Sequence, residues 1–255
     1  MPKFRGPKNT KTRLAAILFL TSVPLLAQAP AAVDMTKEPH HHIAIENSYV
    51  RVFRFGLPSG ESTLLHAHDK PYLAISLGAA DFANDVAGKP EVRGKTADGQ
   101  VNYSRGGFAH VVKADAGVPF NNLTIELLHP QGEPRNLCEK IVPGDLGACD
   151  ASADAPGAPL STRPLFETDE VRVSSVVVRK NGDVVDKAHA TPGLLVAVSR
   201  APIQVAGVPG APTRTLHAGD VLWLSLAAAP KFNVADGSEA RLILISFKDG
   251  GGVPQ

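Results

Sequence analysis

Two histidines one residue apart, His66 and His68, are the first residues in this chain whose type and spacing suggest chemistry. On a β-strand, positions i and i+2 face the same way, so both imidazoles can reach one point. Neutral imidazole is the commonest metal donor near neutral pH. His110, in a distant β-rich segment, can supply a third nitrogen. Three histidines hold a divalent ion and leave coordination positions open, as a catalytic metal requires. Mn, Fe, Cu, Ni and Zn all accept such donors. A lone strand histidine would be an ordinary polar residue; the His-x-His pair with a third His points to one bound divalent ion. His40-His41-His42 reads as a non-specific metal handle or a segment folded over the barrel, with no catalytic role.

Strands must position these residues. Tyr49–Phe55 and Asn121–Leu127 alternate apolar and polar side chains, and Leu73–Leu77, Val173–Val178, Leu194–Val198 and Leu242–Ile245 are short apolar runs. Turn signals separate them, including Pro58-Ser59-Gly60, Asp98-Gly99, Asn181-Gly182-Asp183 and Pro209-Gly210. No segment has a convincing amphipathic helical pattern. The chain has 255 residues, 44% hydrophobic and 20% charged, with 23 Gly and 21 Pro, which excludes a disordered chain and favours many short strands. A net charge of +1 gives no basic footprint for nucleic acid. The pattern predicts an all-β protein, a sandwich or a barrel.

The chain also repeats itself. Glu46…Val50-Arg51-Val52 matches Glu167…Val171-Arg172-Val173, 121 residues on, and the same offset takes His68 to His189 and Pro71 to Pro192. Tyr103 then falls near Trp223, and Leu123 near Leu242. Two copies of one β unit follow, over 32–130 and 165–249, with a linker over 131–164 and a flexible tail over 250–255.

The N-terminus reads as an address. Lys3, Arg5, Lys8, Lys11 and Arg13 precede the apolar run Leu14–Leu26, and small residues follow at Ala27-Gln28-Ala29. This is the build of a signal peptide over 1–31. It predicts a secreted or periplasmic protein with no membrane association after cleavage. In that oxidising setting Cys138 and Cys149 are expected to pair as a disulfide in the linker.

The frame around the histidines resembles the cupin superfamily. Its first motif is matched by Gly60, five residues, His66-x-His68, three residues, Tyr72 and then Gly78. Its second is matched by Gly99, five residues, Arg105-x-Gly107, two residues and His110. Because both halves share the frame, the resemblance implies a bicupin: two tandem double-stranded β-helix (jelly-roll) barrels, the metal inside the first. Two departures stand out. Tyr72 replaces the family's carboxylate ligand, and Ala114 replaces its usual Asn. Tyr72 is then a hydrogen-bond or proton donor beside the metal. Asp69 should point away from the His66/His68 face. Arg105 lies near the barrel mouth, assisting an anion or solvated at the surface. In the second half Lys187 stands for the first histidine and Lys231, or its neighbour Pro230, for the third, leaving His189; that barrel is a structural duplicate, or Lys187, His189 and Lys231 converge on an anion.

Two functions are open at this stage. One is a metalloenzyme, a dioxygenase or isomerase acting on a small oxygen-rich molecule with Tyr72 as catalytic proton donor. The other is a cupin that binds a small ligand, or serves structure, without turnover. A bicupin pairs two barrels within one chain, so monomer and homodimer are both expected forms.

Overall fold

The computed structural model describes residues 31–136, 158–179, 184–185, 191–199, 202–208, 210, 212–225, 229–235 and 237–248. The signal-peptide segment before Ala31, Cys138, Cys149, Lys187 and His189 lie outside these residues, as does the tail beyond Lys248. The described chain is built of strands and one 3₁₀ turn, Met35–Lys37. The first half holds β1 (Val33–Asp34), β2 (His41–Glu46), β3 (Val50–Leu57), β4 (His66–His68), β5 (Tyr72–Ser76), β6 (Ala80–Val86), β7 (Val92–Thr96), β8 (Val101–Ser104), β9 (Phe108–Ala114) and β10 (Phe120–Leu127). The second holds β11 (Arg135–Asn136), β12 (Leu160–Glu167), β13 (Val171–Val178), β14 (Val184–Val185), β15 (Gly193–Ala197), β16 (Ile203–Ala206), β17 (Arg214–Leu216), β18 (Val221–Leu224), β19 (Lys231–Val234) and β20 (Ala240–Phe247). In the first barrel the sheet β1-β4-β9-β6-β7 accompanies β2-β3-β10-β5-β8; in the second, β11-β12-β13-β20-β15-β18 accompanies β14-β19-β16-β17. The all-β architecture read from strand patterning, in the two barrels that the repeat and the cupin resemblance implied, is what the chain adopts.

The sequence repeat is a repeat of structure. Strand β10 lies between β3 and β5, and β20 lies in the same way between β13 and β15. The matched Glu and Arg of the repeat clamp equivalent strands: Arg51 Nη2 donates to Glu46 at 2.6 Å, and Arg172 Nη2 to Glu167 at 3.0 Å. Gly99 and Gly219, both at positive φ, sit in equivalent turns that approach Val198 and Leu77 of the opposite barrel. Arg241 pairs with Asp98, and Arg54 with Asp220, across the same junction.

The largest apolar cluster lies between the barrels. Val50, Val52, Leu73, Ile75, Leu123 and Ile125 of the first pack with Phe166, Val171, Val173, Leu194, Ile243 and Ile245 of the second, and Tyr49, Trp223 and Phe247 stack at its edge. These strands bury apolar side chains both toward the partner barrel and toward their own interior, while Arg54 of β3 and Arg172 of β13 stay exposed. The two interiors differ. Val176, Leu195, Leu222, Phe232, Leu242 and Leu244 fill the second barrel. The first barrel encloses a cavity.

Register refines the sequence pairings. Strands β9 and β19 end at Ala114 and Val234, and β10 and β20 begin at Phe120 and Ala240, the same loop length. Phe232 therefore takes the place of Val112, and buried Pro230 takes that of His110, while Lys231 between them is exposed on the opposite face. Leu123 corresponds to Ile243, not Leu242, because Leu123 pairs with Ile75 and Ile243 with Val196. The described part of the second barrel offers an apolar interior, and Lys231 does not point into an anion site there.

One ionic cluster gives a pH prediction. Glu167, 13% exposed at its side chain, accepts from Arg172, Lys248 and Arg135. Burial alone would raise its carboxyl; the hydrogen bonds outweigh that and hold it at about 2. Because the folded value is depressed, this stabilisation is complete above the unfolded carboxylate range. It is lost as pH falls from about 4.5 toward 2. Arg135 and Arg172 are more than half exposed, so solvent screens the pairs and the contribution is about 1 kcal/mol. Acid titration of the melting temperature should show this loss in the parent and a shallower slope in Glu167→Gln.

Candidate metal centre

His66 and His68 turn inward from β4, and direct pairing of His66 with His110 sets the third imidazole opposite them. All three are buried. Their Nε2 atoms form a triangle: 3.2 Å from His68 to His66, 3.1 Å from His110 to His66 and 3.0 Å from His110 to His68. Donors bound at about 2.1 Å lie ~3.0 Å apart at right angles about an ion and ~3.4 Å apart at tetrahedral angles. The observed spacing is that of neighbouring donors near the right-angle limit.

Ring partners fix which nitrogen faces the centre. His66 donates from Nδ1 to the Leu64 carbonyl at 2.9 Å, and His110 from Nδ1 to Asn84 Oδ1 at 2.7 Å. Both Nε2 atoms are therefore bare lone pairs. His68 Nδ1 is buried without a hydrogen-bond partner among the described residues. Burial, with repulsion from neighbouring imidazoles, pushes His68 down to about 2 and His110 to about 3; burial also lowers His66. Three neutral rings thus converge with at most one proton to share. A cation satisfies all three lone pairs at once, so the residues present fit a metal ion.

The structure adds a residue that the sequence had set aside. His41, buried on β2, packs on His66 with ring centroids 5.0 Å apart. His41, His66 and His68 each offer a ligand atom within 4.8 Å of the others. Behind it, Glu38 is 1% exposed and accepts from His41 Nδ1 at 2.8 Å, His40 N at 2.8 Å, His40 Nδ1 at 3.0 Å and Leu64 N at 3.3 Å. Burial would raise this carboxyl, but the donors hold it at about 2. The charged oxygen locks His41 with Nε2 bare, the carboxylate–histidine arrangement that supports metal ligands. His41 therefore offers a fourth donor atom at the cluster, and of the two readings of the histidine run the segment folded over the barrel is the one adopted. The strap carrying Glu38 and His41 is anchored by parallel pairing of Val33 with His66 and by buried Met35.

Other expected residues fall as follows. Tyr72 lines the cavity and stacks on His68 at 4.4 Å and 29°. Burial raises its phenol, countered in part by a hydrogen bond with Ser104, so it is a protonated donor at neutral pH. Asp69 is exposed, as strand alternation required. Arg105 is 66% exposed and paired with Glu133, the surface alternative of the two. Beside it Gly106, at φ 67°, passes so close that a Cβ would meet the Lys70 and His68 carbonyls. Gly107 N donates to His68 O at 2.6 Å, which pins the start of β9 and hence His110 against β4.

The histidines and Tyr72 open into a cavity of about 220 Å³. Phe55, Phe82, Phe120 and Val112 form its apolar part, and the rest is neutral amides and hydroxyls. No Lys, Arg, Asp or Glu lines it among the described residues.

No family model matches the sequence, and no curated protein matches it. Solved structures do match in fold. A Cupin 2 conserved barrel domain protein from Leptotrichia buccalis superposes with TM-score 0.52 at 10% identity, over 82% of this chain and 88% of that one. AerE from Microcystis aeruginosa gives 0.56 at 8% identity, over 83% and 98%. An oxalate decarboxylase gives 0.53 at 14% identity, over 80% and 70%. The chain therefore has the cupin fold, in two barrels. With its histidine cluster it fits a metal-binding cupin.

Proposed function

We propose that this chain is an exported cupin that holds one divalent metal ion on His66, His68 and His110, with His41 as a further donor. On that ion it captures a small oxygen-rich organic molecule for dioxygen-dependent or isomerising chemistry. The carrying observation is the triangle of Nε2 atoms at 3.0–3.2 Å, two of them locked as lone pairs. A bound metal would supply Lewis acidity to a substrate oxygen. The protein's own residues do the rest. With imidazole donors and one carboxylate, Glu38, behind His41, a divalent ion would keep net positive charge, so an oxyanion or carbonyl oxygen is favoured beside it. Tyr72, protonated and stacked on His68, holds a proton at the cavity wall. Phe55, Phe82 and Phe120 give the cavity an apolar wall that excludes water, with Phe55 packed on His41. Export rests on the basic and apolar N-terminal segment, and a Cys138–Cys149 disulfide belongs to the same reading. Outside the cytoplasm Fe(II) oxidises readily, which favours Mn, Cu or Zn.

Elemental analysis tests this. About one metal per chain is expected, lost in His66→Ala/His110→Ala; a metal-free parent after reconstitution refutes it. The absence of a lining carboxylate favours a second reading, capture without turnover. Tyr72→Phe separates the two: an enzyme loses at least 10²-fold in turnover with metal retained, whereas a binding protein changes only in affinity.

A further inference from the structure

The two barrels are an internal control for each other. They share strand order and register, yet the inward positions carry opposite chemistry. On β10, Asn122 and Thr124 face inward, 7% and 3% exposed; the register equivalents on β20 are Leu242 and Leu244. Asn102 and Ser104 of β8 pair with Ala74 and Tyr72, and Leu222 and Leu224 of β18 pair with Leu195 and Gly193. Ser76, opposite Asn122, is matched by Ala197, opposite Leu242. The same strand order and register are therefore also formed with aliphatic residues at these positions. Burying neutral polar groups instead costs stability unless something hydrogen-bonds them. Some of that demand is met internally: Thr124 Oγ1 donates to Asn122 Oδ1 at 3.0 Å, and Gln100 Nε2 to Asn102 Oδ1 at 3.2 Å. Those bonds use the amide oxygens. Asn122, Thr124, Asn102, Ser104 and Ser76 all line the cavity.

We propose that this neutral polar wall is the recognition subsite for a small polyhydroxy compound whose one carbonyl or carboxylate oxygen faces the histidine cluster. Amides and hydroxyls both donate and accept, which matches a row of substrate hydroxyls. The rings of Phe55, Phe82 and Phe120 in the lining suit the C–H face of such a molecule. Without a Lys or Arg in the lining, a second carboxylate has no counter-charge, so dicarboxylates are disfavoured. The cavity of 220 Å³ holds the equivalent of about seven waters at ~30 Å³ each, the size of a three- to five-carbon compound.

This inference rests on the metal-dependent capture proposed above, and the experiment separates the two. The full chain, loaded with Zn²⁺, is melted with xylose, threonate, oxalate or malonate. The hydroxylated probes are expected to raise the melting temperature by roughly 5–10 °C at about 100-fold over Kd, and the dicarboxylates less. Asn122→Leu/Thr124→Leu, which installs the second barrel's residues, should keep its metal, melt no lower than the parent and lose the shift. Asn102→Leu on the neighbouring strand gives the same reading if the double variant fails to fold. A dicarboxylate preference, or a shift that survives the substitutions, overturns the inference. So does a folded variant that melts below the parent. Metal content is read separately: a parent without metal refutes the metal-dependent capture, whereas metal with no response to hydroxylated probes refutes this inference alone.

Discussion

Chelation is expected to lower the melting temperature of the metal-loaded protein by roughly 5–10 °C, the shift that ligand at about 100-fold over its Kd gives in a chain of this size. The physical source is the histidine cluster. Without a cation, lone pairs on His66 and His110 face each other at 3.1 Å, in a pocket too buried to recruit protons on all three rings. A proton shared by His68 relieves one contact at most. A divalent ion converts every repulsive approach into a bond. Parallel melts with and without chelator measure the effect. His110→Ala should melt at one temperature in both conditions, since it removes one donor and leaves Asn84 Oδ1 without its ring partner. If the parent is equally indifferent to chelator, the triangle does not hold metal.

How much of this was legible in the sequence depends on the range of the contact involved. His66 and His68 were legible because strand periodicity is local: two residues apart means one face. His110 was legible through the glycine-rich frame, whose reason is visible in Gly106 and Gly107 packed against the His68–Lys70 backbone. The repeat was legible because the Glu46–Arg51 and Glu167–Arg172 pairs each clamp a hairpin within a few residues. The inner faces were harder. Pairing Leu123 with Leu242 is off by one residue, and in a β-strand one residue exchanges the faces. The slip hid the fact that Asn122 and Thr124 occupy positions held by Leu242 and Leu244. Of the two residues offered for the third histidine's place, Pro230 faces in and Lys231 faces out. His41 and Glu38 could not be placed by spacing at all, because a parallel pairing of Val33 with His66 carries them to the site. The histidine run was visible; what it packs against was not.

Glu38→Ala is expected to be the most damaging single substitution away from the histidines, costing about 3–5 kcal/mol and at least 10–100-fold in metal affinity. The carboxylate is 1% exposed and answers four donors: two on His40, one on His41 and the Leu64 N–H. Alanine leaves all four without acceptors, and each buried orphan costs about 1–3 kcal/mol where it cannot reach water. The two effects have one cause. Glu38 holds His41 in the tautomer that presents Nε2 to the centre, and through Leu64 N it braces the segment whose carbonyl orients His66. Glu38→Gln separates them. Glutamine fills the space and keeps one acceptor oxygen, but its amide hydrogens face donors, so most of the packing survives while His41 loses its charged partner. Denaturant unfolding should place Glu38→Gln about 1–3 kcal/mol below the parent, and competition with a chelator should still show weakened metal binding. If Glu38→Gln binds metal as tightly as the parent, His41 contributes packing to the site and the ion rests on His66, His68 and His110 alone.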